Sequence, residues 1–361
     1  MRILIDIGHP AHVHLFKNLV YRLKENNHEV IITVREIPGA IELLEKLNLP
    51  YISLGKKRDN FYLKGLNQIF YFFRLLRIAK KRKISVTAGC TVTIALLTRF
   101  TGIPSILFDD DDDQVEPLFV KYGHKYASLV LTPSSIKRKT PKAIYYNGIH
   151  ELAYLLPTYF KPDNGVINEL GVNSGLSYFI LRFVAFRAHH DKGMSGFSLD
   201  NKKQLVRLLE RYGRVFITSE KKIETELEKY RIKISAEKIH SVLFYSTLFI
   251  GDSQTMTSEA CILGTPAFKM NTFAHLLSVP EELEDKYNLC YAYRPDEFED
   301  MMKKIGELLA EKNLKAIWQN KRNAFLLDKI DVTAFFDWFI ENYPQSIEIM
   351  KNNPDYQLRY K

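Results

Sequence analysis

From position 2 to position 55 the chain alternates short apolar runs with helical periods, and few folds accommodate that rhythm. "RILIDI" (2–7), "HEVIITV" (28–34) and "YISLG" (51–55) are apolar runs of strand length. Between them, residues 12–26 place Leu15, Leu19, Val20 and Leu23 on one helical face, and "GAIELLEKLN" (39–48) supplies a second helix. The order strand–helix–strand–helix–strand predicts a parallel, doubly wound sheet. Strands follow at 84–89, 105–110, 129–134 and 143–148, with a helix at about 91–101.

Residues 157–176 break the pattern with two prolines and three glycines. A second α/β series then starts, with strands at 177–186, 214–219, 248–253 and 265–270. Its helices are expected at about 200–212, 222–229 and 256–263. From about residue 295 the chain reads as helical, and "FFDWFIENY" (335–343) is apolar enough to pack back across a domain. The expected organisation is an N-terminal Rossmann-like domain (1–160), a linker (161–176), a second Rossmann-like domain (177–330) and a helical tail (331–361). A chain of 361 residues is long enough for two such cores.

With 51 basic and 42 acidic residues the formal charge is +9, which favours an anionic partner. The basic residues are spread and no recognition motif is present, so nucleic acid is a poor fit. Cys90, Cys261 and Cys290 have no CxxC spacing and read as reduced thiols. "MRILIDIGHP" reads as a first strand rather than a signal peptide, and no segment has the roughly 20 apolar residues of a transmembrane helix. The expectation is a cytoplasmic protein.

The sharpest motif is "FIGDSQTMTSEACILGTPAFKM" (249–270). A strand ends at Ile250, and Gly251, Ser253 and Thr255 are small enough for backbone to approach a ligand. The following helix N-terminus offers N–H groups to an anion. Ser253, Gln254, Thr255, Thr257 and Ser258 are therefore candidate phosphate contacts. Glu259, one turn into the helix, has the acceptor geometry for two ribose hydroxyls. The same residues also fit an ordinary helix cap, with Glu259 as its capping-box partner. At the same sheet edge, "FRAHHDKGMSG" (186–196) gathers Arg187, His189, His190 and Lys192, which suit a diphosphate leaving group or a solvated basic loop.

After the first strand, "GHPAHVH" holds His9, His12 and His14. A zinc pair at His12 and His14 is disfavoured, because two residues on a helix point about 200° apart. No metal site is expected. The remaining readings are first-turn helix residues after Pro10, or an imidazole that works as general base, with His12 first and His9 second. "FDDDDDQVEP" (108–117) follows another strand. A solvated loop is the simple reading, while Asp109 and Asp110, tied to the strand end, are candidates for a base or a weak divalent-cation site.

The 249–270 segment resembles the donor-nucleotide motif of GT-B-fold proteins, nearest to the UDP-N-acetylglucosamine 2-epimerase and MurG-like group. With "GHPAHVHLFKNL", "YNGIHELAYLLPTYFKPD" and "LRFVAFRAHHDKGMSGFS", the chain over about residues 1–320 resembles the DUF354 family of that superfamily. The resemblance implies a GT-B-like α/β fold, two Rossmann-like parallel-sheet domains with an interdomain cleft, the first on the acceptor side. It puts Ser253 at the phosphates and Glu259 at the ribose, although 2-epimerases carry two glycines where this chain has Gln254 and Thr255. MurG-like enzymes have a glycine-rich loop ending in histidine where this chain has "GHPAH". The implied partner is a nucleotide-sugar, UDP-linked, with no cofactor required. The implied activity is glycosyl transfer to a glycan or lipid-linked acceptor in surface polysaccharide or glycolipid assembly. A 2-epimerase-like enzyme and a non-catalytic sugar-nucleotide binding protein are the alternatives.

One further segment bears on localisation. "FYLKGLNQIFYFFRLLRIAKKRK" (61–83) mixes Phe70, Phe73 and Leu76 with Arg74, Arg77, Lys80 and Lys81. It suits peripheral contact with the inner membrane face. It also fits a crossover helix that is apolar toward the sheet and basic outside.

Overall fold

The computed structural model describes residues 1–56, 61–113, 115, 117–173, 175–183, 196–219 and 223–361. It divides into two compact units, Met1–Tyr154 with Lys329–Lys361, and Leu155–Asp328.

The first unit is built on a seven-stranded, all-parallel sheet of order β3-β2-β1-β4-β5-β6-β7. Its strands are β1 (Arg2–Ile7), β2 (Glu29–Glu36), β3 (Tyr51–Lys56), β4 (Val86–Gly89), β5 (Ser105–Phe108), β6 (Leu129–Pro133) and β7 (Ala143–Tyr146). Helices α1 (Pro10–Glu25), α2 (Pro38–Lys46), α3 (Phe61–Arg82) and α4 (Val92–Thr101) supply crossovers, as the alternating sequence requires. Leu15, Phe16, Leu19, Val20 and Leu23 of α1 are buried, the face that the helical spacing selects. Pro10 opens α1 at a position where its missing N–H costs nothing. Strand order reverses between β1 and β4, which marks the carboxyl ends of those strands as the ligand-binding edge.

The C-terminal segment belongs to this unit. Asp331 caps the helix Val332–Glu341 by accepting from the Ala334 N–H at 2.9 Å, and Phe335, Phe336, Phe339 and Ile340 are buried. Phe336 meets Phe108 edge-on at 4.8 Å and Tyr146 at 5.0 Å. The tail therefore buttresses the ends of β5 and β7, where functional side chains emerge.

The second unit carries a five-stranded parallel sheet of order β12-β11-β10-β8-β9. The strands are β8 (Tyr178–Arg182), β9 (Arg214–Thr218), β10 (Leu248–Gly251), β11 (Ala267–Met270) and β12 (Cys290–Tyr293). Its order reverses between β8 and β10. The short helix α5 (Leu152–Leu155) closes the first stretch of the first unit at the boundary, and α6 (Gly165–Glu169), α7 (Leu199–Leu209), α8 (Ile239–Tyr245) and α9 (Gln254–Leu263) follow in the second.

The stretch 161–176, expected as a linker, is folded into the second unit. Val166, Leu170 and Val172 are buried, and the Arg214 guanidinium donates to the Leu170 and Gly171 carbonyls at 2.9 and 2.6 Å. Strands expected to run to 110 and 253 stop at Phe108 and Gly251, because polar side chains there leave the ladder for other partners. The helix expected at 256 starts at Gln254, since the Ser253 hydroxyl already caps it. In place of a helix at 222–229 the chain makes a 3₁₀ turn at Thr225–Tyr230.

Candidate functional site

At the carboxyl edge of the first sheet, β1 hands over to α1 through Gly8. A Cβ there would lie 2.9 Å from Thr91 Cγ2, so only glycine lets the β1 turn pass the β4 turn. Beneath the turn the buried Asp6 carboxylate accepts from the Thr33 and Thr91 hydroxyls at 2.7 and 2.5 Å, tying β1 to β2 and to the start of α4.

The three histidines then diverge. His9 is exposed and caps α1, its Nδ1 accepting from the Ala11 N–H at 3.2 Å. His14 packs on Tyr154 at 5.3 Å. His12 turns back to the edge, where its Nδ1 accepts from the Gly8 N–H at 3.2 Å. That bond fixes the neutral tautomer with hydrogen on Nε2. Burial, reinforced by His9 and His150, drives its pKa down to about 3. His12 is therefore a neutral hydrogen-bond donor at physiological pH.

The acidic run splits by role. Asp109 is buried and accepts from His124 Nε2 at 2.7 Å and from the Arg138 guanidinium at 2.9 Å. Asp113 pairs with the other arm of Arg138. Asp110, only partly buried, has its Oδ2 3.0 Å from Nδ1 of His150. Burial opposes its charge, but the neighbouring His150 and His12 outweigh that and hold the carboxyl below its usual range. His150 itself is buried, stacked 6.5 Å from the Tyr146 ring. Sequence reasoning missed His150, although the quoted "NGIHEL" segment just after β7 lies where another edge residue belongs.

At the edge of the second sheet, a Cβ at Gly251 would lie 2.6 Å from the Arg182 carbonyl oxygen, so glycine is required where β10 passes β8. Ser253 caps α9, accepting from the Met256 N–H at 3.4 Å, and the Thr257 hydroxyl donates to the Ser253 carbonyl at 2.7 Å. Gln254 accepts from Nζ of Lys269 at 2.6 Å. Thr255 is half-buried and Ser258 buried. The buried Glu259 accepts from His240 Nε2 at 2.9 Å instead of reaching back as a capping-box partner. Lys269 lies in the sheet, and burial pushes its pKa down to about 8 against the opposing pull of Cys290 and Glu284. His240 and Lys269 were not anticipated. Arg187, His189 and His190 lie outside the described residues.

Comparison with known proteins places the fold. The UDP-N-acetylglucosamine 2-epimerase of Neisseria meningitidis, solved with UDP-N-acetylglucosamine, superposes with a TM-score of 0.67 over 94% of this chain and 100% of its own, at 12% identity. The spinosyn rhamnosyltransferase solved with spinosyn aglycone gives 0.62 over 95% and 100%, at 15% identity. The architecture is thus the GT-B fold that such epimerases and glycosyltransferases share, two parallel-sheet units in one chain. An uncharacterised protein of Methanocaldococcus jannaschii is 24% identical over 285 residues, 73% of this chain and 79% of its own. The family described as "Protein of unknown function (DUF354)" matches residues 1–324, and the chain belongs to it.

Proposed function

We propose that this protein is a glycosyltransferase that takes a sugar from a nucleotide diphosphate, UDP in the first instance, and needs no cofactor. The observation that carries the reading is the Asp110–His150 pair after β5 and β7, which interacts electrostatically with a neutral His12 after β1 at the same carboxyl edge. A carboxylate ionised at neutral pH and oriented by a buried imidazole suits removal of a proton from an acceptor hydroxyl. The hydroxyl oxygen forms the new bond to the anomeric carbon while the bond from that carbon to the phosphate oxygen breaks. The nucleotide diphosphate leaves with the electron pair, and the acceptor proton passes to Asp110.

His12 takes a different part from the base that its position suggested. Accepting a proton would require its Nδ1 to give up the Gly8 N–H, so in this reading Nε2–H donates to a sugar or acceptor oxygen. His9, exposed at the rim, is a second contact. On the other unit the start of α9, with Ser253, Gln254, Thr255, Thr257 and Ser258, would hold the phosphates. Glu259, oriented by His240, would take the ribose. The acceptor is a glycan or a lipid-linked sugar of surface polysaccharide or glycolipid assembly.

A thermal-shift panel of UDP, GDP, CMP and ADP tests the reading. Ligand at about 100 times its Kd should raise stability by about 2.7 kcal/mol. A shift with UDP that is lost in Glu259→Ala is expected, and no shift with any nucleotide would sink the proposal. Incubation with UDP-N-acetylglucosamine while following exchange at sugar C2 separates the alternative, since only a 2-epimerase exchanges that proton. Asp110→Asn should abolish transfer and leave the UDP shift intact.

A further inference from the structure

Of the two readings of 61–83, a plain crossover helix would turn its apolar side to the sheet and a basic side to water. Tyr71, Leu75 and Ala79 are indeed buried in the core beneath it, at intervals of four. The outward arc, however, is mixed. Ile69, Phe70 and Phe73 are 55%, 55% and 60% exposed, and share that arc with the exposed Arg74, Arg77 and Lys80. Next to it, Phe100 near the end of α4 is 66% exposed, its ring 5.2 Å from that of Phe72. Aromatic side chains left in water side by side on two packed helices need a reason, because lone exposed apolar residues are ordinary but contiguous ones mark a contact.

The charge says what the contact is. Between positions 60 and 108 the sequence has eight lysines and arginines and no aspartate or glutamate. A protein partner with an apolar face of its own would not require that neither α3 nor α4 carry a single carboxylate. A bilayer rich in anionic headgroups does, since it takes aromatic rings at the headgroup boundary and attracts each neighbouring cation. No helix among the described residues is long and apolar enough to cross a membrane, so the contact is one of surface and not of span.

We propose that the α3–α4 face, with Ile69, Phe70, Phe73 and Phe100 as its inserted groups and Arg74, Arg77, Lys80 and Lys81 as its headgroup contacts, docks this protein on an anionic lipid surface. The proposal stands without the nucleotide reading, because nothing in it involves the sheet edges. It would place a lipid-linked substrate within the reach of the first unit if that reading also holds.

The test is sedimentation of the full chain with phosphatidylcholine vesicles with and without phosphatidylserine. The wild-type protein should sediment with the anionic vesicles alone, and at about 1 M salt, where charges are screened within about 3 Å, it should be released. Phe70→Ser with Phe73→Ser and Phe100→Ser should weaken binding roughly tenfold or more. Lys80→Glu with Lys81→Glu, on the exposed surface where folding is not at stake, should do the same. In Phe73→Trp, indole emission should shift to the blue on anionic vesicles. Absence of wild-type binding overturns the proposal, as does binding that both variants leave unchanged. A wild-type dimer in solution that the phenylalanine changes dissociate, with no vesicle binding, would assign the face to a second copy instead.

Discussion

The carboxyl edges of the two sheets occupy equivalent places in similar folds, and they are furnished differently. Each begins with a glycine crowded by a neighbour, Gly8 by the methyl of Thr91 at the start of α4 and Gly251 by the Arg182 backbone of β8. After that the chemistry parts. The first edge gathers imidazoles and carboxylates in pairs: Gly8 with His12, Asp110 with His150, Asp109 with His124 and Arg138. The second gathers hydroxyls and an amide about a helix start, with a buried lysine behind it and a single carboxylate–imidazole pair, Glu259 with His240, farther along α9. Topology decides where polar side chains collect, and only the residue types decide whether protons or anions are handled there.

The comparison breaks most visibly at Asp109. Removing that carboxylate strands the largely buried His124 and leaves Arg138 with Asp113 alone, so Asp109→Ala should cost about 3 kcal/mol in urea unfolding. Asp110→Asn, next in sequence but partly exposed, should cost less than about 1.5 kcal/mol. Equal losses at the two positions would mean that the two aspartates share one structural role.

His12 should make the first edge acid-sensitive. Its pKa is about 3 in the folded chain against 6.5 in the unfolded one, so between those values the unfolded state binds more protons. Stability contributed by neutral His12 is therefore complete above pH 6.5 and is lost as pH falls toward 3. His9, His150 and Arg35 oppose the added proton, and Asp110 favours it. With partial exposure discounted, the loss should be on the order of 1–3 kcal/mol. His12→Asn keeps an acceptor for the Gly8 N–H and should flatten that limb of a stability–pH curve. A curve unchanged by the substitution would assign the acid limb to other groups.

How much of this was legible beforehand follows a physical line. β1, β2, β3 and α1 were readable because burial on both faces of a sheet, or on one face of a helix, is written in adjacent residues. Strand β12, "CYAY", lacks the larger aliphatic residues that mark the equally short β10 and β11, and the seven-residue α8 is too short to show a period. The site divides the same way. Helix phase alone separates His12 from His14, and the structure sends them to different neighbours. The partners of Asp110 and Glu259 come from 40 and 19 residues away, His150 and His240, and no local pattern encodes such a meeting. Asp109 and Asp110, adjacent in a run of five, looked equivalent until one side chain met Arg138 and the other did not.

On the second edge the sign is the same and the pH window is higher. Lys269 loses its proton at about 8 when folded and near 10.5 when unfolded, so stability should rise with pH between those values. Lys269→Met removes a buried ammonium and should stabilise the chain by about 1–2 kcal/mol at neutral pH while abolishing that rise. Destabilisation instead would show that its bond to Gln254 outweighs the desolvation of the charge.

The smallest effect separates the two meanings of Ser253. As a cap alone, its hydroxyl is worth about 0.5–1 kcal/mol against alanine, and glycine replaces it at that position for a few tenths. A ligand contact obeys a different rule, since glycine offers no hydroxyl to a phosphate. Ser253→Gly should therefore leave urea unfolding nearly unchanged while reducing the UDP-dependent thermal shift. Should both survive, the hydroxyl serves only the helix, and any anion held there rests on the N–H groups at the start of α9.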